Sequence, residues 1–277
     1  MKVVNSIAGV RAHRPDCGQA GFVPTMGFLH EGHLSLVRTA KEQCGSVIVS
    51  IFVNPTQFGP NEDLDRYPRA LERDTQLLRE AGADMLFVPD AREIYPPGWA
   101  TVIQPGPVAE RFEGGLRPGH FEGVATVVTK LFQIVQPQRA YFGQKDAQQC
   151  AVIRQIVRDL NIPVEIVVCD IMREASGLAM SSRNSYLTDE QKARAADISL
   201  ALVRAREIWS GGERRAEVLR AAALEVLATH YRDAVDYLAL VDADTFEDVS
   251  DVGSGDLMIT AVREGTVRLL DNIVFQD

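Results

Sequence analysis

The feature that most constrains the fold is a nearly uninterrupted apolar run, Val47-Ile48-Val49-Ser50-Ile51-Phe52-Val53. It is too short for a typical helix, and it lacks the alternation of polar and apolar residues that marks a half-exposed strand. Such a run is typical of a parallel strand covered on both faces, which requires helices on either side of the sheet. We therefore predict a strand over residues 46–53 within an α/β fold.

Strand and helix patterns alternate around this run. Strands are predicted at 20–24, 84–88, 140–142 and 164–171, and helices at about 33–43, 68–81 and 124–135 and from Asp146 onward. This alternation predicts a Rossmann-like, doubly wound parallel sheet, which binds ligands beyond the carboxyl ends of its strands. The segment 89–119 is rich in proline and glycine, and we expect a loop with a possible strand at 101–103, of the kind that often forms a functional lid.

After Arg173 the composition changes to a small, polar loop over 176–184. Thr188 and Gln191 fit a capping box for a helix that runs to about Ser210 and stops at two glycines. A helix at about 213–230, strands near 235–241, 257–263 and 266–270, and a hairpin turn at 264–265 are predicted to follow. The sequence thus predicts a domain over 1–177 and a smaller C-terminal α+β domain over 178–277.

Charge and cysteine content exclude several classes of function. The formal net charge is −9, whereas nucleic acids and anionic membranes demand a basic surface, so we expect neither as a partner. Cys17, Cys44, Cys150 and Cys169 show no C-x-x-C spacing, which argues against a zinc knuckle or a disulfide framework. No stretch approaches the ~20 apolar residues that cross a bilayer. We expect a soluble, unprocessed, cytoplasmic protein.

The stretch over residues 22–33 reads as a strand, a tight turn and a helix start, with His30 and His33 on one helix face. A helix N-terminus favours an anion, so one interpretation is a phosphate site. A metal site is a second interpretation, although the helical zinc motif spaces its histidines at i and i+4. In a third, one histidine caps the helix and the other packs in the core.

Five segments together resemble the pantothenate synthetase (pantoate–β-alanine ligase) family of the HIGH-motif nucleotidyltransferases. They are Pro24-Thr25-Met26-Gly27-Phe28-Leu29-His30-Glu31-Gly32-His33, Asn54-Pro55-Thr56-Gln57-Phe58, Arg117-Pro118-Gly119-His120-Phe121, Gly143-Gln144-Lys145-Asp146-Ala147-Gln148-Gln149 and Met180-Ser181-Ser182-Arg183-Asn184. The resemblance spans most of the chain. It implies that ATP and pantoate give pantoyl adenylate and pyrophosphate, and that β-alanine then displaces AMP to form pantothenate.

The resemblance also implies roles for individual residues. His30, His33, Lys145 and Arg183 are the expected catalytic contacts to the ATP phosphates. Further ATP contacts are expected from Pro24, Met26, Gly27, Gly143, Asp146, Met172, Met180, Ser181 and Ser182. Pantoate and β-alanine are expected at Gln57, Gln149, Asn54 and Arg117. Mg²⁺ is expected with ATP, Asp74 matches a family acid that can help to hold it, and the family suggests a homodimer.

Plainer interpretations remain open for single residues. Asp146 with Gln149 fits an N-cap pattern, so Asp146 could cap its helix instead of contacting ATP. Lys145 or Arg183 alone would more often be a solvated surface charge. Two other functions also remain: a nucleotidyltransferase that leaves the nucleotide on its product, and a nucleotide sensor without turnover.

Overall fold

The computed structural model describes residues 1–60 and 62–276. Within them the strands are β1 (Lys2–Val4), β2 (Ala20–Thr25), β3 (Ser46–Ile51), β4 (Met85–Phe87), β5 (Arg139–Gly143), β6 (Glu165–Cys169), β7 (Val235–Val241), β8 (Leu257–Glu264) and β9 (Val267–Val274). The α-helices are α1 (Ile7–His13), α2 (Glu31–Gln43), α3 (Leu71–Glu80), α4 (Ala91–Ile94), α5 (Glu113–Leu116), α6 (His120–Val135), α7 (Ala147–Asp159), α8 (Asp189–Ser210) and α9 (Ala216–Tyr231).

The chain divides into two compact units, Met1–Gly143 with Val152–Cys169, and Gln144–Ala151 with the described residues from Asp170 onward. In the first unit the strands pair in the order β1-β4-β3-β2-β5-β6, and every neighbouring pair is parallel. The predicted α/β fold with a parallel, doubly wound sheet is confirmed. The prediction of a domain boundary after residue 177 stays a prediction.

Both faces of this sheet are covered, as the apolar run of β3 predicts. Val47 and Val49 belong to a core cluster with Val37 of α2 and Leu78 of α3. Side chains that point the other way meet α6, where the ring of Phe132 lies 6.4 Å from that of Phe22 in β2. Because successive residues of a strand face opposite sides, a strand between two helical layers must be apolar throughout.

The strand order reverses beside β2. From β2 the chain builds β3 and β4 on one side, and it then returns to place β5 and β6 on the other. Such a switch point leaves a crevice at the carboxyl ends of the two central strands, here β2 and β5. β2 leads directly into residues 26–33, which we call the histidine turn, and β5 ends at Gly143.

The second unit contains the antiparallel sheet β7-β8-β9 together with α8 and α9. Its core includes Trp209, Tyr231 and Phe275. Thr188 caps α8 as predicted: its hydroxyl accepts the N–H of Gln191, whose side-chain carbonyl accepts the N–H of Thr188 in return. The smaller α+β unit expected from the sequence is confirmed as a fold class.

Two local predictions differ from the structure, and two elements near the N-terminus were not predicted. Residues 101–103 form no strand in the described part of the chain; instead the Ile103 N–H donates to the hydroxyl of Thr126. The hairpin turn falls at residues 265–266, one position later than predicted, because Gly265 adopts a φ of +61° there. The sequence patterns also missed β1, which is only three residues long and mostly exposed, and α1, which is seven residues long and buries only Val10.

Candidate active site

The histidine turn is built by reciprocal hydrogen bonds between two histidines. His30 is the N-cap of α2, and its Nδ1 accepts the backbone N–H of Gly32 at 3.2 Å. His33 reaches back, and its Nδ1 accepts the backbone N–H of His30 at 3.3 Å. The two rings lie 4.0 Å apart between centroids. This is a capping box in which both side chains are histidines, and it satisfies two orphan N–H groups of the helix start.

These bonds determine which ring nitrogen carries the proton. An Nδ1 that accepts a backbone N–H has no proton, so the neutral ring of His30 or His33 carries its proton on Nε2. Each ring therefore carries its N–H donor on Nε2, at the N-terminus of α2, where the helix dipole favours an anion. The arrangement suits a phosphate oxygen. The interpretation that one histidine caps the helix and the other packs in the core holds in its first part, since His30 is the N-cap, but His33 is only half-buried.

The turn is anchored from α3 by Asp74, which is 1% exposed. Its Oδ2 accepts the N–H of Phe28 at 2.7 Å and its Oδ1 accepts the N–H of Leu29 at 2.9 Å. The neighbouring Arg73 donates to the carbonyl of Leu29 and lies over the ring of Phe28. The turn needs this support because Gly27 and Phe28 both have positive φ, at +85° and +51°, and Phe28 has a Cβ that disfavours this conformation.

The same contacts bear on the expected magnesium. Within residues 1–60 and 62–276, no group of three or more His, Cys, Asp or Glu is arranged to hold a metal ion. Both carboxylate oxygens of Asp74 already accept peptide N–H groups. Mg²⁺ is commonly held by one or two carboxylates plus substrate phosphates, so ATP itself would supply most of its ligands. The role of Asp74 toward Mg²⁺ stays a prediction.

Residues 54–57, which follow β3 and which we call the amide turn, carry two of the predicted substrate contacts. Asn54 is 1% exposed, and its Nδ2 donates to Oε1 of Gln57 at 3.0 Å and to the carbonyl of Gly123 at 3.2 Å. The Nε2 of Gln57 lies 3.4 Å from Sδ of Met26, which brings the amide turn against the histidine turn. The amide of Gln57 is thus fixed in the first unit.

The close approach of α6 to the amide turn depends on Gly123. A Cβ at this position would lie 2.4 Å from the carbonyl oxygen of Thr56, a distance that no packing tolerates. One turn earlier on α6, Nδ1 of His120 lies 2.9 Å from the carbonyl of Gln57. Helix α6 therefore supports the amide turn at two positions, Gly123 and His120.

Arg117 makes a bidentate ion pair with Glu62, with N–O distances of 2.6 and 2.7 Å, and its third nitrogen lies 3.0 Å from Nε2 of His120. Burial raises the pKa of the Glu62 carboxyl, but the hydrogen bonds and charge of Arg117 outweigh it, so the net pKa lies below its usual value. Through His120, Arg117 is tied to the amide turn. Its direct contact with substrate stays a prediction.

In the second unit, Lys145 lies in a short 3₁₀ turn, Gln144–Asp146, just before α7. The Nδ2 of Asn272, in β9, donates to the carbonyls of Gln144 and Lys145 at 2.9 and 3.0 Å, and its Oδ1 accepts from Nε2 of Gln144. Nζ of Lys145 lies 3.5 Å from Oδ1 of Asp146. Asn272, which sequence patterns did not single out, therefore fixes the backbone that carries Lys145.

The segment before Arg183 is also fixed within the second unit. Arg173 forms a bidentate pair with Asp271, at 2.6 and 2.9 Å, and burial raises the pKa of that carboxyl despite the nearby guanidinium. Met180 pairs through its backbone with Met172. The hydroxyl of Ser181 accepts the N–H of Arg183 at 3.2 Å and caps the 3₁₀ turn Ser182–Tyr186.

The structure places the predicted residues in two sets, each on a defined local scaffold. Pro24, Met26, Gly27, His30, His33, Asn54, Gln57, Asp74, Arg117 and Gly143 lie in the first unit, and Lys145, Asp146, Gln149, Met172, Met180, Ser181, Ser182 and Arg183 in the second. Met26 joins the histidine and amide turns of the first set. Two residues that sequence reasoning missed, Gly123 and Asn272, hold these segments and show no periodicity that would mark them.

Comparisons with known proteins identify the same family over nearly the whole chain. The pantoate-beta-alanine ligase family model matches residues 2–274. A pantothenate synthetase of Gluconobacter oxydans is 56% identical over 273 residues, which cover 99% of each chain. A crystal structure of the Thermus thermophilus enzyme aligns over 100% of both chains, with 50% identity and a TM-score of 0.96.

A second crystal structure, of a pantoate-beta-alanine ligase from Francisella tularensis in complex with beta-gamma ATP and beta-alanine, is 37% identical. It aligns with a TM-score of 0.78 over 99% of this chain and 98% of the other. The expectation drawn from the five sequence segments is confirmed at the level of the family. This chain belongs to the pantoate–β-alanine ligase family.

Proposed function

We propose that this chain condenses pantoate with β-alanine to pantothenate at the expense of ATP. The carboxylate of pantoate attacks the α-phosphate of ATP, forming pantoyl adenylate and releasing pyrophosphate. The amine of β-alanine then attacks the acyl carbon, and AMP leaves. The observation that carries this proposal is family membership over the whole chain, together with a Francisella tularensis relative described as a complex with beta-gamma ATP and beta-alanine.

The adenylate solves a chemical problem. An amine cannot readily displace oxide from a carboxylate, whereas AMP is a stabilised leaving group. The first task of the enzyme is therefore to stabilise negative charge on the phosphates as pyrophosphate departs. Donors that are already oriented before the reaction supply this stabilisation without reorganisation, and removal of one such donor costs about a hundredfold to a thousandfold in rate in other enzymes.

The proposal assigns this task to the Nε2–H groups of His30 and His33, to the compact ammonium group of Lys145, and to the planar guanidinium of Arg183, which can donate two parallel hydrogen bonds. The orientation of the two histidine rings supports the first part of the assignment. The nucleotide contacts are proposed at the remaining predicted positions, namely Pro24, Met26, Gly27, Gly143, Asp146, Met172, Met180, Ser181 and Ser182.

Pantoate carries a carboxylate and two hydroxyl groups, which neutral amides can bind without repelling charge. The proposal places Gln57 and Gln149 against it. The buried amide of Gln57, fixed by Asn54, supports this role. Mg²⁺ bound with ATP, a homodimeric state and a cytoplasmic location belong to the same proposal. No described helix is both long enough and apolar enough to span a bilayer.

One assay tests the reaction. The purified chain is supplied with ATP, Mg²⁺, pantoate and β-alanine, and AMP, pyrophosphate and pantothenate are measured. We expect AMP and pantothenate in equal amounts, and AMP only when both acids are present. Pyrophosphate without AMP would instead indicate a transferase that leaves the nucleotide on its product. ATP binding without pyrophosphate would indicate a sensor.

The site assignment has its own test. We expect His33→Ala and Lys145→Ala to lower the rate of adenylate formation at least about a hundredfold while both proteins stay folded by circular dichroism. Lys41→Ala is a matched control, because Lys41 is an exposed lysine that pairs with Asp84 and lies outside the proposed site. Near-normal turnover in either test variant would refute the role given to that residue.

A further inference from the structure

The orientation of the Asn54 side chain follows from neighbours that can bond in only one way. Its Oδ1 lies 3.4 Å from the backbone N–H of Thr56, a group that can only donate. Its Nδ2 lies 3.2 Å from the carbonyl of Gly123, a group that can only accept. If the amide were reversed, both bonds would be lost: Nδ2 would face the N–H of Thr56, donor against donor, and Oδ1 would face the carbonyl of Gly123, acceptor against acceptor. Oδ1 therefore faces Thr56, and Nδ2 faces Gly123.

This orientation fixes that of Gln57 in turn. Because Nδ2 of Asn54 is a donor, the Gln57 atom 3.0 Å from it must be the carbonyl oxygen Oε1. The amide nitrogen Nε2 then points the other way, where Sδ of Met26 at 3.4 Å is a weak acceptor. Gln57 is 8% exposed, so a half-satisfied donor in this position favours a ligand that supplies an oxygen acceptor.

Tyr95 completes the network at the other end. Its hydroxyl donates to Oδ1 of Asn54 at 2.7 Å, the shortest of the bonds to this amide, and lies 3.2 Å from the hydroxyl of Thr56. The ring is held by Trp99, 4.6 Å away between centroids, and by Phe52. Burial raises the pKa of the Tyr95 phenol above its usual value and outweighs the lowering by its bond to Thr56, so the hydroxyl stays a donor at neutral pH.

We propose that Tyr95 is a positioning residue for pantoate: acting through Asn54, it holds the Gln57 amide with its nitrogen toward the substrate. Gln57 then serves as a donor to a carboxylate or hydroxyl oxygen, and its carbonyl is withheld from the substrate. This inference rests on the proposed function, since it takes pantoate as the ligand of Gln57. It gives a role to a residue that lies outside all five matching sequence segments.

The first experiment is Tyr95→Phe, which keeps the ring and removes the hydroxyl. Loss of this donor leaves the Asn54–Gln57 pair less firmly oriented, and we expect KM for pantoate to rise about fivefold to tenfold. KM for ATP and kcat at saturating pantoate should stay within about twofold of wild type. Unchanged KM for pantoate, or an equal rise in KM for ATP, would overturn the proposal.

Tyr231→Phe is the matched control for stability. The Tyr231 hydroxyl donates to Glu264 over the same distance, 2.7 Å, but it lies in the core of the second unit. Its loss should lower the midpoint of thermal unfolding without changing KM for pantoate. If Tyr231→Phe raises this KM as much as Tyr95→Phe does, the effect of Tyr95 is general stability and the proposal fails.

A double-mutant cycle separates a role through Gln57 from an independent one. In a Gln57→Ala background there is no amide to orient, so adding Tyr95→Phe should change KM for pantoate by less than about twofold. A fivefold to tenfold rise in both backgrounds would show that Tyr95 acts elsewhere, which would overturn the inference. Failure of the proposed function is seen separately, because the wild-type chain would then form no pantothenate.

Discussion

Asp74 is expected to stabilise the fold by anchoring the histidine turn through two hydrogen bonds. Its carboxylate could help to hold Mg²⁺, as the family resemblance suggests, or it could hold the histidine turn, as its two hydrogen bonds indicate. Asp74→Asn separates these possibilities because the amide keeps the shape of the carboxylate and removes its charge. The quantity to measure is the free energy of unfolding in buffer without magnesium.

The magnitude follows from the two bonds. Hydrogen bonds to a charged group contribute about 1.5–3 kcal/mol each. In Asp74→Asn one oxygen becomes an NH₂ group that faces the N–H of Phe28 or Leu29, so one bond is lost and two donors meet. A neutral amide is cheaper to bury than a carboxylate, which offsets part of this loss. We expect a net fall of about 2 kcal/mol for Asp74→Asn and a larger one, about 3 kcal/mol or more, for Asp74→Ala.

Urea unfolding followed by fluorescence measures these values, and Glu72→Gln is the control, since Glu72 is an exposed acid in the same first turn of α3. A fall of less than about 0.5 kcal/mol for Asp74→Asn would refute the anchoring role. If stability is unchanged but the magnesium concentration needed for half-maximal activity rises, the carboxylate is a metal ligand.

Three further changes have expected outcomes. Asn272→Ala removes the hydrogen bonds to the backbone that carries Lys145, so pyrophosphate release, measured by stopped flow, should slow about tenfold. An unchanged rate would show that Asn272 does not position Lys145. Glu62→Gln should lower the stability by about 1 kcal/mol at pH 7. Because Arg117 holds the pKa of Glu62 below its usual value, the stability difference between wild type and Glu62→Gln should vanish as the pH falls through the pKa of Glu62 in the folded protein. Urea unfolding at pH 7 and in acid tests this. Gly123→Ala should destabilise the fold by about 1–3 kcal/mol, because the new methyl group meets a carbonyl of the amide turn; a variant as stable as wild type in thermal unfolding would contradict this contact.

The parallel sheet could be predicted because its central strands β2 and β3 are mostly buried on both faces and are therefore mostly apolar. Val47 and Val49 face one helical layer while Ile48 faces the other, and the sequence shows this as an apolar run that only Ser50 interrupts. The edge strand β1 could not be predicted in this way, since only Val4 of its three residues is buried. A half-buried strand of three residues has too few positions to show a period.

The site divides in the same way. His30 lies in a strand–turn–helix motif that suits an anion, so its residue pattern could propose it, whereas Lys145 and Arg183 could be proposed only because their segments resemble the family. Asn272 lies 127 residues after Lys145, and its contacts follow only from the folding of β9 against the Gln144–Asp146 turn. Contacts over such a separation leave no local pattern in a single sequence. The reciprocal capping by two histidines was missed for another reason, since the usual capping box has Ser or Thr followed by Glu or Gln.

A donor that must meet a phosphate or a substrate oxygen cannot be held by the substrate before it binds, so other groups must hold it. In this protein those groups are buried side chains whose polar atoms bond to backbone groups or to another amide: Asp74 for the histidine turn, Asn54 for the amide turn and Asn272 for the turn of Lys145. Loss of a group that contacts the substrate but holds no other segment, which we call a presenting group, such as Lys145, should therefore remove turnover and leave stability nearly intact. Loss of a holding group should reduce both together, because its removal leaves buried N–H or C=O groups unpaired. Plotted against each other for a set of single variants, activity and unfolding free energy should separate into these two classes, and a single common trend would show that presenting and holding roles are not distinct.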